Sequence, residues 1–158
     1  MMKFNWKNLA FWVLLAEGIG LLAGIFTRNA IEIYQTSVVQ PPLSPPSWLF
    51  PVVWGFLYAL MGISASLVSQ TTTSQERNRG LNLMIAQLIV NFFWPLFFFN
   101  LQAFGFSFVW LLLLWALVLW MILTFRKVSP LAALLQIPYL IWLTFAAYLN
   151  AGVWYLNR

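Results

Sequence analysis

Hydrophobic and polar positions along this chain fall into long blocks, not a short alternation. Five apolar runs, at about residues 9–26, 48–68, 81–101, 106–125 and 130–154, are separated by polar breaks. A bilayer core of roughly 30 Å takes about 20 apolar residues of helix, and each run approaches that length. The pattern predicts an all-α membrane protein, a bundle of five transmembrane helices. No polar stretch is long enough for a second domain, so residues 1–158 read as one transmembrane unit. The first run exceeds the roughly 7–15 residues of a signal-peptide core and is expected to stay as a helix.

Composition sharpens this picture. The chain is 63% hydrophobic and 7% charged, whereas soluble domains carry about 25% charged residues. Its formal charge of +5 is spread too thinly for a nucleic-acid surface, and nucleic acid is not an expected partner. The cations read as topology signals. Lys3, Lys7, Arg77, Arg79, Arg126 and Lys127 collect on one side of a five-span chain, and Arg28 and Arg158 on the other. The positive-inside rule then predicts a multi-pass protein of the cell (cytoplasmic) membrane. Its N-terminus is inside, its C-terminus outside, and a long first loop at 27–47 lies outside. With no Cys and no His, thiolate chemistry and the commonest metal ligand and general base are absent, and no metal site is expected. The acids are Glu17, Glu32 and Glu76 alone, which leaves hydrolase, metalloenzyme and ATPase chemistry almost nothing to work with.

The interior of each run carries finer signals. In the first, Gly20 and Gly24 form a GxxxG pair suited to close helix approach. Glu17 shares their face, and a carboxylate at mid-membrane costs roughly 2.5–3.5 kcal/mol on insertion scales. It is either a neutral structural residue or a functional group facing a wet cavity. In the second run Trp54, Tyr58, Met61 and Ala65 share one face, beside a small-residue stripe of Gly55, Ala59, Gly62 and Ser66. The third holds Gln87 and Asn91 four residues apart, then Trp94 and Pro95. The proline frees the carbonyl of Asn91 and points to an interior polar pocket. The fourth is apolar almost throughout, with Trp110, Trp115 and Trp120 fanned around it, and reads as mainly lipid-exposed. The fifth opens with Ser129-Pro130, an N-cap followed by a first-turn proline. A second proline, Pro138, precedes a face of Tyr139, Trp142, Ala146, Asn150 and Val153. Ahead of the second run, residues 40–51 hold five prolines, which predicts a stiff, extended outer lid anchored by Trp48.

Four of these segments carry a resemblance. Pro41-x-x-x-Pro45-Pro46-x-Trp48, "PVVWGFLYALMG", "QLIVNFFWPLFFF" and "PYLIWLTFAAYLN" occur in the order and spacing of the translocator protein family, also called tryptophan-rich sensory protein (TspO) or peripheral benzodiazepine receptor. Nearly the whole chain resembles that family. The resemblance implies a five-helix, commonly homodimeric membrane receptor or sensor that binds tetrapyrroles such as protoporphyrin IX. For eukaryotic relatives it implies cholesterol-like apolar ligands as well. It implies that Trp54, Asn91, Trp94, Trp142, Ala146 and Asn150 belong to the ligand site, and with the neighbouring candidates Pro41, Pro46, Tyr58, Gln87, Phe98 and Tyr139 these form the expected site. Some bacterial members break down the porphyrin in light, and Trp54 and Trp142 match the tryptophans implicated there. The family pattern places a basic residue before the first proline and an aromatic two residues after it. This chain carries Gln40 and Leu43 at those places. Without His or Cys axial ligands, a metal-free porphyrin held by aromatic faces and amides is the expected ligand, with no covalent cofactor. Three readings stay open: a tetrapyrrole receptor, a light-dependent porphyrin-degrading enzyme, and a transporter using Glu17 as a proton-linked group.

Overall fold

The computed structural model describes residues 3–158. Its elements are α1 (Trp6–Ser37), α2 (Leu49–Ser69), α3 (Gln75–Pro95) with a π-helical turn at Leu96–Asn100, α4 (Phe104–Val128), α5 (Pro130–Leu135) and α6 (Ile137–Leu156). Five helical rods are long and apolar enough to cross a membrane, α3 with its π turn and α5 with α6 each counting as one. Among the described residues there is no strand.

Helix starts follow local chemistry. Asn5, Ser74 and Ser129 each accept a hydrogen bond from the backbone three residues on, capping α1, α3 and α5. Pro130 sits at the first turn of α5, where a missing N–H costs nothing. Pro138 cannot donate to the carbonyl of Leu134, and the fifth span breaks at Gln136 into α5 and α6. The fully buried Gln136 side chain donates to Leu60 O and Ser64 Oγ of α2, tying the break to its neighbour.

Two expectations need correction. The first run was expected to end at residue 26 with a loop to residue 47, but α1 continues to Ser37. Thr27, Arg28 and Asn29 end the apolar run, not the helix. No proline or glycine stands between residues 25 and 40, and Thr36 and Ser37 bond back to helix carbonyls. At about 1.5 Å per residue the 32-residue helix is about 48 Å long, well beyond a bilayer core. Buried Tyr34 pins the extension against Phe98 and Phe99 of the π turn.

Likewise, α4 is not mainly lipid-exposed. Leu111, Leu114, Val118, Met121 and Phe125 repeat at three- and four-residue steps and are all buried. They face α3, α5 and α6, which pack along α4, while α1 packs along α2. An all-apolar helix shows no contrast between a lipid face and a protein face, so its sequence hides the buried stripe. Two of its tryptophans hold neighbours: the Trp110 indole donates to Val90 O and that of Trp115 to Thr144 Oγ1. Trp120 stays exposed.

At one end of the bundle the start of α1 meets the α2–α3 turn. Asn5 and Gln70 exchange hydrogen bonds, Ser66 and Ser69 donate to Asn8 Oδ1, and the Arg77 guanidinium donates to Ser69 O. This basic end is tightly knit. The opposite, loop end contains the cavity.

A candidate ligand cavity

The small stripe of α2 divides its work along the helix. Toward the basic end, Gly62 lies directly against the backbone of Val13, so α1 and α2 touch there. One face-repeat further toward the loop end, Gly55 has open space where a Cβ would stand, and so does Gly24 on α1. The two helices therefore part, and the α1 GxxxG pair splits its roles: Gly20 receives the Tyr58 ring, while Gly24 lines a void. The void has a volume of about 660 Å³, within the roughly 300–1,000 Å³ of small-molecule sites.

Its walls are aromatic. Trp54 and Phe50 come from α2, Trp94 and Phe98 from α3 and its π turn, and Trp142 with Ala146 from α6. The Pro95 break sets up the third wall. Leu101 N donates five residues back to Leu96 O, and the widened turn brings Phe98 and Phe99 inward together. Phe98 stacks on Trp94 with ring centres 5.0 Å apart and planes 21° apart. Phe50 meets Trp142 edge-on at 6.0 Å.

Most polar groups of this region are consumed by the protein itself. Tyr58 OH donates to Asn91 Oδ1 at 2.6 Å, and Asn91 Nδ2 donates to Tyr139 Oη at 2.6 Å. Tyr139 OH donates in turn to Gln87 Oε1 at 2.7 Å, and Gln87 Nε2 contacts Met84 Sδ at 3.2 Å. The Trp94 indole donates to Asn150 Oδ1 at 3.0 Å, and Asn150 Nδ2 to Phe104 O at 2.8 Å. The amides of α3 thus form a bolt joining α2, α3 and α6, not an open polar pocket.

Of the residues the sequence singled out, Trp54, Tyr58, Asn91, Trp94, Phe98, Trp142, Ala146 and Asn150 line the cavity. Gln87 and Tyr139 stand behind that wall, inside the hydrogen-bonded bolt. Pro41 and Pro46 do not line it either. Pro41 is buried against Gly152, and Pro46 is exposed. The proline segment is a strap, not an extended lid over the void. It turns at Pro42 and at Leu43, whose φ of 68° is left-handed. Val39 exchanges two hydrogen bonds with Asn157, and Tyr148 OH donates to Pro42 O. Ser47 is the one residue of the stretch 38–48 that reaches the cavity rim. Gln40 and Leu43, where the chain departs from the expected lid pattern, lie off the wall.

The wall that sequence reading missed is the outer half of α1. Thr27, Arg28, Ile31 and Gln35 continue the face of Glu17, Gly20 and Gly24 along the cavity, with positions 17, 20, 24, 27, 31 and 35 at three- and four-residue steps. That spacing was visible, but it was cut in two where the apolar run ended.

Comparison with known proteins now decides what kind of molecule carries this cavity. Residues 12–156 match the model of the TspO/MBR family. The chain belongs to that family. Its relatives span bacteria and mammals. "Tryptophan-rich protein TspO" of Chlorobaculum tepidum is 37% identical over 151 residues, 95% of this chain and 96% of that protein. "Translocator protein" of Ovis aries is 35% identical over 155 residues, 97% of this chain and 92% of that protein. "Protein CrtK" of Rhodobacter capsulatus is 39% identical over 139 residues, 87% of this chain and 85% of that protein. This TspO/MBR protein is thus a multi-pass membrane protein, and its matched segment includes every wall of the cavity from Glu17 to Asn150.

Proposed function

We propose that the protein is a membrane receptor for a tetrapyrrole of the protoporphyrin IX type, bound in the cavity between α1, α2, α3 and α6. The observation that carries this reading is the aromatic enclosure. Trp54, Trp94 and Trp142 approach one void from three helices, with Gly24 and Gly55 leaving flat, open space between them. A planar, largely apolar ligand gains most from such faces by stacking and burial. The relatives' names speak of sensing and translocation, and both begin with binding. The charge asymmetry supports the cytoplasmic membrane with the basic end inside.

Titrating protoporphyrin IX into the purified protein and following tryptophan emission tests this. Saturable quenching is expected. Trp54→Ala should reduce both affinity and quenching amplitude, while Trp120→Phe, on the exposed face of α4, should leave affinity unchanged. Quenching that fails to saturate, or that ignores Trp54, overturns the proposal.

One observation favours a second reading. Trp54 and Trp142, from α2 and α6, line the same void. An illuminated porphyrin between them would have two indoles as electron donors, with dioxygen as the oxidant. If the protein breaks down its ligand in light, Trp142→Phe should slow the loss of porphyrin absorbance in illuminated samples. Equal rates in both proteins would leave the receptor reading alone.

A further inference from the structure

Two charged residues line the cavity, and neither has a structural partner. Glu17 Oε1 is buried without a hydrogen-bond partner, deep on the α1 wall. Arg28 lies on the same helix nearer the loop end. Among the described residues the one salt bridge is Arg79 with Glu76, so Glu17 and Arg28 pair neither with each other nor with another charge. Positions 17 and 28 are eleven apart. Eleven residues bring an α-helix back to within about 20° of its starting direction and advance it by about 16 Å. One wall therefore presents an acceptor-bearing carboxyl group at its inner end and a cation about three turns further out. The strip between them includes Gly24, where a Cβ would meet nothing within 4 Å.

A carboxyl group beside apolar walls is costly unless a partner satisfies it. Tyr58 cannot serve, because its one hydroxyl hydrogen is given to Asn91 Oδ1, and Asn91 Nδ2 bonds to Tyr139 and not to Glu17. An unpartnered Glu17 Oε1 on the cavity wall suits a ligand that carries hydrogen-bonding groups. We infer that the cavity is bipolar: Arg28 takes the ligand's carboxylates at the outer end, and Glu17 meets ring nitrogens at the inner end. The site would then prefer a free-base ring over a metallated one. This rests on the tetrapyrrole reading above. When a free-base ring saddles, its pyrrole N–H groups tilt out of plane toward a carboxylate and its bare pyrrolenine nitrogens toward a carboxylic acid, so Glu17 is satisfied in either form. A metal at the ring centre replaces the hydrogens and occupies the lone pairs, leaving Glu17 buried and unmatched. Gln40 does not bear on this end, because it lies off the wall.

Three probes separate the two poles. Protoporphyrin IX has both features. Its dimethyl ester lacks the carboxylates. Nickel protoporphyrin IX lacks the N–H groups, and a square-planar nickel ion offers Glu17 no ready axial site. Affinities are measured by tryptophan quenching on the full chain in detergent, against empty micelles. The native protein should bind protoporphyrin IX about tenfold tighter than either analogue, the size of one charge-assisted hydrogen bond. Glu17→Leu should erase the preference over the nickel compound and keep that over the ester. Arg28→Gln, on the exposed part of α1, should do the reverse. If Glu17→Leu does not fold, Glu17→Gln carries the same comparison, with the preference over nickel reduced. Preferences absent in the native protein, or unchanged by both substitutions while binding persists, overturn the bipolar site and leave the receptor reading standing. A native protein that binds none of the three overturns both.

Discussion

Gly62 and Gly24 are both small residues on membrane helices, and they are put to opposite uses. Gly62 lets two backbones touch. Gly24 faces a void. The same contrast separates the two ends of the bundle. Toward the basic end, Met61, Val68, Met121 and Phe125 are completely buried, and Gly80 is packed against the Phe125 ring. Toward the loop end, α1 and α2 part at Gly24 and Gly55, and α1 is held by Phe26 against Phe92, by Asn100 Nδ2 donating to Phe26 O, and by Tyr34 against Phe98 and Phe99. A small residue in a membrane helix thus marks where atoms come close or where they are withheld, and only its neighbours say which.

The difference can be broken from either side. The largest effect is expected at the contact. Gly62→Leu must push Val13 away and should destabilise the protein by about 3 kcal/mol, as overpacking does in tight cores, read as an earlier unfolding transition in detergent. Gly55→Leu, which adds a larger group into open space, should change stability by less than about 0.5 kcal/mol yet fill the cavity and weaken porphyrin binding at least about tenfold. A Gly55→Leu protein that unfolds as early as Gly62→Leu would erase the distinction between the two ends.

A middle-sized effect is expected at the bolt between them. Tyr139→Phe removes the hydroxyl that joins Asn91 to Gln87, leaving two buried amides short of a partner, at about 1–2 kcal/mol. If Gln87 and Tyr139 are structural, that loss appears in stability with little change in ligand affinity. The smallest effect concerns the strap. Asn157→Ala removes its paired bonds to Val39 and should cost less than about 1 kcal/mol at this exposed site. Faster hydrogen exchange at the Val39 amide, with the core unchanged, is the expected readout.

Much of the cavity was legible because its residues are unusual for a lipid face. Trp54, Trp94, Trp142 and Asn150 stand out at helical spacing, and they converge on one void. Gln87 and Tyr139 stood out equally, yet they belong to the bolt. A polar residue inside a membrane must find a partner, but its spacing does not say whether that partner is a ligand or another helix. The prolines misled differently. Stiffness was readable from them, but the surface that the stiff segment rests on was not, and that surface is the end of α6 around Gly152 and Asn157.

From the sequence alone came the number of membrane-crossing rods, the Ser129–Pro130 helix start and the separation of cationic loops from the apolar interior. These follow from local terms: hydrophobic length, capping and the cost of charge in lipid. Tertiary structure decided that α1 runs on past its apolar run, because Tyr34 finds Phe98 and Phe99 there. It decided that α4 has a buried stripe within a uniformly apolar helix, and that Gly62 closes a contact while Gly24 and Gly55 open a cavity. Each depends on what stands opposite a residue, and that is set by the packing of distant segments, which no local pattern encodes.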